Sequence, residues 1–238
     1  MAQHRFFIQD NFQQIKLKIF VPEFRHQIKN VLRCSPGEKI FLFNGFGKEA
    51  EARIEEITDQ YVQVQIDKVS SREQDAKRQV VLFCSILKKD NFEWVCQKAT
   101  EAGLTAIVPI LTGRTIKVNI NADRLEKIIK EASEQSHRLW MPKLELPMTL
   151  EKATEKDEKD CDLNLFFDCF AKDLLSSQSS ILKNSHKKIG IFIGPEGGWT
   201  ESDRNLARDK KFVFVGLGDL VLRAETAAVV ATYLAAHF

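Results

Sequence analysis

The stretch IGPEGGWT, residues 193–200, closes the apolar run KIGIFIG, residues 188–194. A short continuous apolar run is typical of a strand that is covered on both faces of a parallel sheet. The turn that follows contains Pro195, which stiffens it, and glycines that allow close backbone approach. Thr200 with Asp203 then gives a helix-start pattern. The stretch therefore predicts a turn at the carboxyl end of a strand, where open α/β sheets place their ligand crevices.

A second glycine turn follows the next apolar run. KFVFVGLG, residues 211–218, leads through DLVLR, residues 219–223, into an apolar helix pattern. Two such turns could form a pocket whose main-chain N–H and C=O groups read the edge of an adenine. Single glycine turns are more often structural, and neither turn matches the Rossmann or P-loop patterns. The residues alone predict a small-molecule pocket in an α/β domain.

The rest of the chain divides into two predicted domains. Residues 1–72 contain short alternating runs such as YVQVQI, which predict a small β-barrel, interrupted by one helix-like piece, residues 23–33. A polar linker follows, and residues 73–238 alternate continuous apolar runs with helix patterns, as α/β domains do. The last helix, residues 225–238, is apolar almost all round. It is expected either at a subunit interface or deeply packed within the chain.

Two helices carry further start and stop signals. Asp90 with Glu93 predicts a capped start, and Gly103 a stop. Asp123 with Glu126 predicts the start of the next helix, whose apolar residues fall on one face.

Composition limits the class of protein. The chain has 238 residues, is 44% hydrophobic and 29% charged, and carries a net charge of +2, too small to require a nucleic-acid partner. There is no secretory leader pattern and no apolar run of about 18 residues, so a cytoplasmic protein without a membrane span is expected. No C-x-x-C pair occurs, and we expect buried reduced thiols and no metal site. The cysteines are Cys34, Cys84, Cys96, Cys161 and Cys169.

Several segments together resemble one family. IGPEGGWT and GLGDLVLRAETA, residues 216–227, resemble the signature of SPOUT-class methyltransferases, and more narrowly the bacterial 16S ribosomal RNA (uracil-N3)-methyltransferase family of the RsmE type. Further matches, in the family's order, are RFF at 5–7, His26 through Arg33, the pattern from Lys88 to Gly103, and EASEQSHR at 131–138. The chain departs from the family at Asp219 and Leu220, where Pro-Arg is common, and at Ala224, where Thr is common.

The resemblance implies a PUA-like β-barrel followed by a SPOUT-type α/β domain whose C-terminal part forms a trefoil knot. It also implies a homodimer that packs through the knot and the last helix, with S-adenosylmethionine as cofactor. By match to the family, the cofactor-binding residues are Gly194, Pro195, Glu196, Gly197, Gly198, Gly216, Leu217, Gly218, Val221, Leu222 and Arg223.

The implied reaction moves a methyl group to N3 of a uridine in 16S rRNA within the small ribosomal subunit. Because N3–H is a poor nucleophile, the enzyme must remove its proton and stabilise the resulting anion. Arg138 or Arg223 is a candidate for charge stabilisation. Glu134, Gln135 or Glu225 is a candidate for orienting the base or accepting the proton. Glu134 and Arg138 could instead be only a surface i,i+4 pair, and Arg223 could hold a phosphate or a helix end.

The N-terminal barrel is expected to grip RNA. Arg5, Arg25, Lys29 and Arg33 are candidates for phosphate contacts, and the last three recur at helical spacing, as one stripe or as an ordinary solvated face. Two other functions stay open: a SPOUT methyltransferase acting on another RNA, such as a tRNA ribose 2′-hydroxyl, and a non-catalytic ribosome-assembly factor. Retention of both glycine turns disfavours the second, because a pure RNA binder has no need of a nucleoside crevice.

Overall fold

The structure, a computed structural model, describes residues 4–74, 77–88, 90–116, 118–171, 175 and 187–238. Its internal contacts divide these residues into two compact units. The first unit contains the residues up to 74 together with residues 133–141. The second unit contains the other described residues.

The first unit is built on an antiparallel-rich sheet. Within the described residues its five strands lie in the order β1-β3-β4-β5-β2, and only β1 and β3 pair in parallel. In β5 the valines at 62 and 64 are buried while Gln63 and Gln65 are not, which confirms the predicted alternation. Two register shifts interrupt the regular pairing of β4 with β5. The strands are β1 (Arg5–Phe7), β2 (Lys16–Ile19), β3 (Lys39–Phe43), β4 (Lys48–Ile57) and β5 (Val62–Ser71).

The helix predicted over residues 23–33 is shorter and less regular than its pattern suggests. Helix α1 (Pro22–His26) continues as a π-helical turn, Gln27–Val31, which buries Ile28. Arg33 lies beyond the end of this turn with a left-handed φ of 53°. The spacing of Arg25, Lys29 and Arg33 therefore does not form one α-helical stripe, because a π-turn has a different period and Arg33 is outside it.

Residues 133–141 belong to the first unit because specific hydrogen bonds hold them there. The backbone N–H of Phe7 donates to Glu134 Oε1 at 2.9 Å, and that of Gly47 donates to the Leu139 carbonyl at 2.9 Å. The indole Nε1 of Trp140 donates to the Arg72 carbonyl at 2.8 Å. Gly47 has a φ of 87°, and a Cβ there would lie 2.4 Å from that same carbonyl oxygen. Only glycine fits this close approach.

The second unit contains a parallel sheet. Among the described residues the strand order is β12-β10-β11-β6-β7-β8, with β9 also beside β7. Every pairing is parallel, which confirms the prediction from the continuous apolar runs. Phe83 and Phe192 stack at 4.5 Å in its core. The strands are β6 (Gln79–Ser85), β7 (Ala106–Leu111), β8 (Lys143–Leu144), β9 (Met148–Thr149), β10 (Leu163–Phe167), β11 (Lys188–Ile193) and β12 (Val213–Val215).

Two predicted helix boundaries are confirmed. The Thr200 hydroxyl accepts from the Asp203 N–H at 3.1 Å, and the Asp203 carboxylate accepts from the Thr200 N–H at 2.8 Å, which is a complete capping box. Gly103 ends its helix with a φ of 108°. The further helices are α2 (Asn91–Ala102), α3 (Ala122–Gln135), α4 (Leu150–Asp160), α5 (Glu201–Asp209) and α6 (Ala224–His237).

Two predicted caps are wrong. Asp90 precedes α2 without a side-chain cap, and Glu93 instead forms an ion pair of 2.7 Å with Arg124. Helix α3 begins one residue before Asp123, and the side chain of Asn121 accepts from the Arg124 N–H at 3.1 Å. In the first case a tertiary charge pair replaces the local hydrogen bond, and in the second a neighbouring amide takes the capping role.

Helix α6 packs by an alanine-rich face. Ala228, Ala231 and Ala235 are fully buried, and the helix contacts α2, β6 and β11. Packing within the chain therefore accounts for one face, while Val230 and Tyr233 on the opposite face are exposed. No helix in the described part of the chain has both the length and the apolar character needed to cross a membrane.

Candidate active site

A cavity of about 480 Å³ opens at the carboxyl ends of β10, β11 and β12 in the second unit. Both glycine turns line it, although their strands are not neighbours, because β10 runs between them. Every residue predicted to bind the cofactor lines the cavity except Gly197. The end of β10 adds Phe167, Asp168 and Cys169.

Trp199 explains why the residue before Pro195 is a glycine. A Cβ on Gly194 would lie 2.9 Å from Cε2 of the Trp199 ring, closer than real carbon contacts allow. The indole cannot easily retreat, because its Nε1 donates to the Phe167 carbonyl at 2.8 Å and its ring stacks on Phe166 at 4.3 Å. Trp199 therefore forms the buried floor of the turn, and the turn needs a residue without a side chain at 194.

Two other glycines allow the turns to bend. Gly198 has a φ of 70° and donates to the Pro195 carbonyl at 2.8 Å, which closes a four-residue turn. Gly218 has a φ of 141° in the second turn. A Cβ at either residue would meet no atom of the described residues within 4 Å, so the described structure leaves open space beside both turns.

Side chains from two neighbouring connections fix the first turn. The carboxylate of Glu196 accepts from the Lys88 N–H at 2.8 Å, which ties the turn to the segment between β6 and α2. Arg114, after β7, donates from Nη1 to the Gly197 carbonyl at 2.7 Å and to the Trp199 carbonyl at 3.4 Å. The carbonyl groups of residues 197 and 199 thus accept hydrogen bonds from Arg114, a residue that no sequence pattern singled out.

Asp168 is a cavity residue that sequence reasoning missed. Its side chain is buried, its Oδ2 accepts from Arg204 Nε at 2.6 Å, and its Oδ1 accepts from the Phe170 N–H at 3.1 Å. The hydrogen bond that Arg204 donates to this carboxylate raises the pKa of the Arg204 guanidinium. The available signal was a polar residue directly after the apolar run LNLFF, at the same sheet edge as the two glycine turns.

Acidic side chains surround the cavity. Asp168, Glu196 and Glu225 all line it, together with the cation Arg223. Behind the cavity, burial raises the pKa of the Cys84 thiol well above its usual value, and the negative potential of Glu196 and Glu225 acts in the same direction.

The predicted catalytic residues fall into two groups. Arg223 and Glu225 line the cavity, with Arg223 Nη1 4.0 Å from Glu225 Oε1. Glu134, Gln135 and Arg138 lie in the first unit. There Glu134 accepts from Phe7, and the buried Arg138 donates from Nε to the Trp140 carbonyl at 3.1 Å, so both help to hold residues 133–141 in that unit.

The predicted RNA contacts have different environments. Arg5 forms an ion pair with Glu49 and only 8% of its side chain is exposed. Arg25 donates to the Gln60 carbonyl at 2.9 Å, and Lys29 pairs with Asp59 at 2.5 Å. Arg33 is exposed at the end of the π-turn. Arg5 is thus engaged within the unit, whereas Lys29 and Arg33 are accessible.

The thiols only partly follow expectation. Cys34, Cys84 and Cys96 are buried, as predicted, and none of the five cysteines forms a disulfide. The expectation that every thiol is buried is wrong, because Cys161 is half-buried and Cys169 is exposed. Cys169 follows Asp168 where the chain leaves the end of β10, which takes it out of the covered part of the sheet.

Comparison with known proteins places both halves of the sequence. A model of the RNA methyltransferase domain matches residues 74–236, and a model of the RNA methyltransferase PUA domain matches residues 22–67. The ribosomal RNA small subunit methyltransferase E of Rickettsia conorii is 31% identical over 97% of this chain and 94% of its own length.

Solved structures agree over nearly the whole chain. The ribosomal RNA small subunit methyltransferase E of Neisseria gonorrhoeae, bound to S-adenosylmethionine, is 28% identical, covers 97% of this chain and 95% of its own, and has a TM-score of 0.84. A Legionella pneumophila protein in complex with the bound cofactor S-adenosylmethionine is 29% identical, covers 100% and 99%, and has a TM-score of 0.87. The two matched domains together span most of the sequence, and the chain belongs to the RNA methyltransferase family.

Proposed function

We propose that the protein transfers a methyl group from S-adenosylmethionine to N3 of a specific uridine in the 16S rRNA of the small ribosomal subunit. The observation that carries this proposal is the cavity formed by both glycine turns, within the residues that match the RNA methyltransferase domain. Relatives that carry the rRNA methyltransferase name, and two similar proteins solved with S-adenosylmethionine, support it.

The cavity fits this cofactor in size and charge. About 480 Å³ lies within the usual range for small-molecule and cofactor sites. Gly198 and Gly218 leave open space beside the turns, so main-chain groups can approach a nucleoside closely. The carboxylates of Asp168, Glu196 and Glu225 favour a ligand with positive charge. When bound, S-adenosylmethionine supplies an electrophilic methyl group on a positively charged sulfur.

The residues at the cavity can activate the uridine. Glu225 is partly buried in the first turn of α6 and is proposed to accept the N3 proton. Arg223, largely exposed and 4.0 Å from it, is proposed to donate to O2 or O4 as negative charge develops there. Glu134, Gln135 and Arg138 stay candidates for orienting the base. In calorimetry, Glu225→Gln should bind S-adenosylmethionine like the parent, while its methyl transfer to small ribosomal subunits falls by about a hundredfold because the proton acceptor is lost.

The first unit is proposed to hold RNA. Its match to the RNA methyltransferase PUA domain supports this role, as do the accessible cations Lys29 and Arg33 with their neighbour Arg25. Arg5 would have to leave Glu49 before it could contact a phosphate. Affinity for rRNA should fall with rising salt, and a Lys29→Ala, Arg33→Ala variant should show a shallower salt dependence.

The organisation of the active protein is also proposed. We propose a homodimer whose interface includes the exposed face of α6, since Val230, Tyr233 and the nearby chain end Phe238 expose apolar surface. Tyr233→Glu should lower the sedimentation coefficient to that of a monomer. The family resemblance further supports a trefoil knot in the C-terminal part, functional domains at 1–72 and 73–238, and a cytoplasmic location beside the ribosome.

Two measurements test the proposed function. Calorimetry should show S-adenosylmethionine binding, which a non-catalytic assembly factor has no reason to retain. Mass mapping of 16S rRNA from cells lacking the protein should show the loss of one methylated uridine. If the lost methyl group were on a ribose, or on transfer RNA, the uracil-N3 reaction would be excluded.

A further inference from the structure

A second cavity of about 470 Å³ lies beside the first in the same unit. Its walls are α5, β12 and the segment that follows β10. The two cavities share Asp168, so a ligand in one lies next to a ligand in the other. The side chains that form its walls are Phe170, Glu201, Arg204, Arg208 and Phe214.

The walls of this second cavity combine aromatic rings with guanidinium groups. The guanidinium carbon of Arg204 lies 5.6 Å from the centre of the Phe170 ring, and that of Arg208 lies 5.5 Å from the centre of the Phe214 ring. Phe170 is 79% exposed. A single exposed phenylalanine is ordinary on a protein surface, but two arginine–phenylalanine pairs around one cavity are a specific arrangement.

Neighbouring side chains orient both guanidinium groups. Asp168 accepts from Arg204 at 2.6 Å, and the Arg204 side chain is only 16% exposed. Arg208 donates to Glu201 and to Asn205, each at 2.7 Å. Planar cations and aromatic faces that are fixed in this way provide surfaces on which unpaired bases stack, and arginine also attracts phosphate.

We propose that this second cavity holds an unpaired nucleobase of the RNA strand, next to the uridine that enters the first cavity. The proposal rests on the proposed function, since it assumes an RNA substrate. Its own support is the aromatic and cationic wall, and the shared Asp168 that places the two cavities side by side. Phe170 would stack on the base, and Arg208 would stabilise the stack or its phosphate.

Three substitutions at Phe170 separate stacking from packing. The full-length protein would be tested for affinity to small ribosomal subunits from cells lacking the protein, and to a single-stranded oligoribonucleotide. Phe170→Ala should weaken binding of both by about tenfold, the effect of removing one base-stacking ring. Phe170→Tyr should restore affinity, and Phe170→Leu, similar in apolar size, should not. The affinity for S-adenosylmethionine should stay within about twofold of the parent, because Phe170 does not line the first cavity.

Arg208→Lys provides a second test, since it keeps the charge but loses the planar group. It should weaken RNA binding more than it changes cofactor binding. The proposal is overturned if Phe170→Ala binds RNA like the parent, if leucine restores affinity as well as tyrosine, or if the loss follows a fall to monomers. If the parent protein transferred no methyl group but Phe170→Ala still bound RNA more weakly than the parent, the proposed function would be wrong and this inference would stand. If the parent transferred the methyl group and Phe170→Ala bound RNA as tightly as the parent, this inference would be wrong and the proposed function would stand.

Discussion

The Trp199 ring lies too close to Gly194 for residue 194 to carry a Cβ. The ideal Cβ position is 2.9 Å from Cε2 of the indole, and the indole is held by its hydrogen bond to Phe167. The cavity wall thus depends on a contact between a bare backbone and a buried ring. The conformation of the turn at residues 194–198 therefore depends on packing against the buried Trp199 as well as on its own residues.

Gly194→Ala should lower the free energy of unfolding by about 1–3 kcal/mol, because the added methyl group overpacks a site that cannot relax freely. Gly197→Ala in the same turn is the matched control, since its Cβ would meet Arg114 only at 3.5 Å. It should change stability by about 0.5 kcal/mol or less. Urea unfolding of the two variants measures the difference. Equal stabilities would contradict the role given to Trp199.

Arg204→Leu should lower the free energy of unfolding by about 3 kcal/mol, because it leaves the buried Asp168 carboxylate without its counter-ion. Arg208→Leu removes a guanidinium from the same helix whose ion pair with Glu201 is exposed. Its cost should be about 0.5 kcal/mol. Chemical denaturation at neutral pH compares the free energies of unfolding of the two variants. If a double variant with Arg204→Leu and Asp168→Asn regained stability, the unpaired Asp168 carboxylate would be the cause of the loss.

Thr200→Ala should cost about 1 kcal/mol, the usual effect of losing a helix N-cap. Both hydrogen bonds of the capping box with Asp203 are present, so the hydroxyl is the group that matters. Thr200→Ser keeps that hydroxyl and should retain most of the stability. A thermal unfolding series of the three proteins tests this, and a serine variant as unstable as the alanine one would assign the effect to the lost methyl group.

Cys169 should react with a thiol reagent in the native protein, whereas Cys84 and Cys96 should react only after unfolding. Burial raises the pKa of Cys96 to about 12, so its thiolate is scarce at neutral pH. Because the unfolded thiol titrates near 9.0, the stability that Cys96 contributes is intact below that pH and is lost as pH rises toward about 12. Peptide mass analysis after labelling identifies the reactive sites. Native labelling of Cys96 would refute its burial.

Periodicity was sufficient for the longer strands, whereas the two-residue strands β8 and β9 had no pattern that predicted them. Continuous apolar runs predicted the parallel strands, and Thr200 with Asp203 predicted the start of α5. Local capping patterns gave wrong predictions where a residue distant in sequence binds the same side chain. Glu93 fits a capping box, yet Arg124 takes it as an ion-pair partner from another helix.

The missing parts of the site are those that only folding brings together. Arg114 is far in sequence from the turn at residues 194–198, and nothing in its own neighbours marks it as a partner of that turn. Asp168 follows an apolar run, but no local pattern shows which other residues share its cavity. Residues 133–141 join the first unit through Glu134, Leu139 and Trp140, although the chain places them 60 residues or more beyond the strands they bind. Such pairings need knowledge of topology, which a single sequence does not contain.

The position of β10 between β11 and β12 has a mechanical consequence. Strand β12 has three residues and pairs with β10 alone within the described sheet, so it is a weakly held edge. A ligand that contacts the turns after both β11 and β12 reaches across the end of β10, and it would hold β12 in the sheet by contacts that the free protein lacks. Amide hydrogens at Val213–Val215 should then exchange with deuterium more slowly once the cavity is filled.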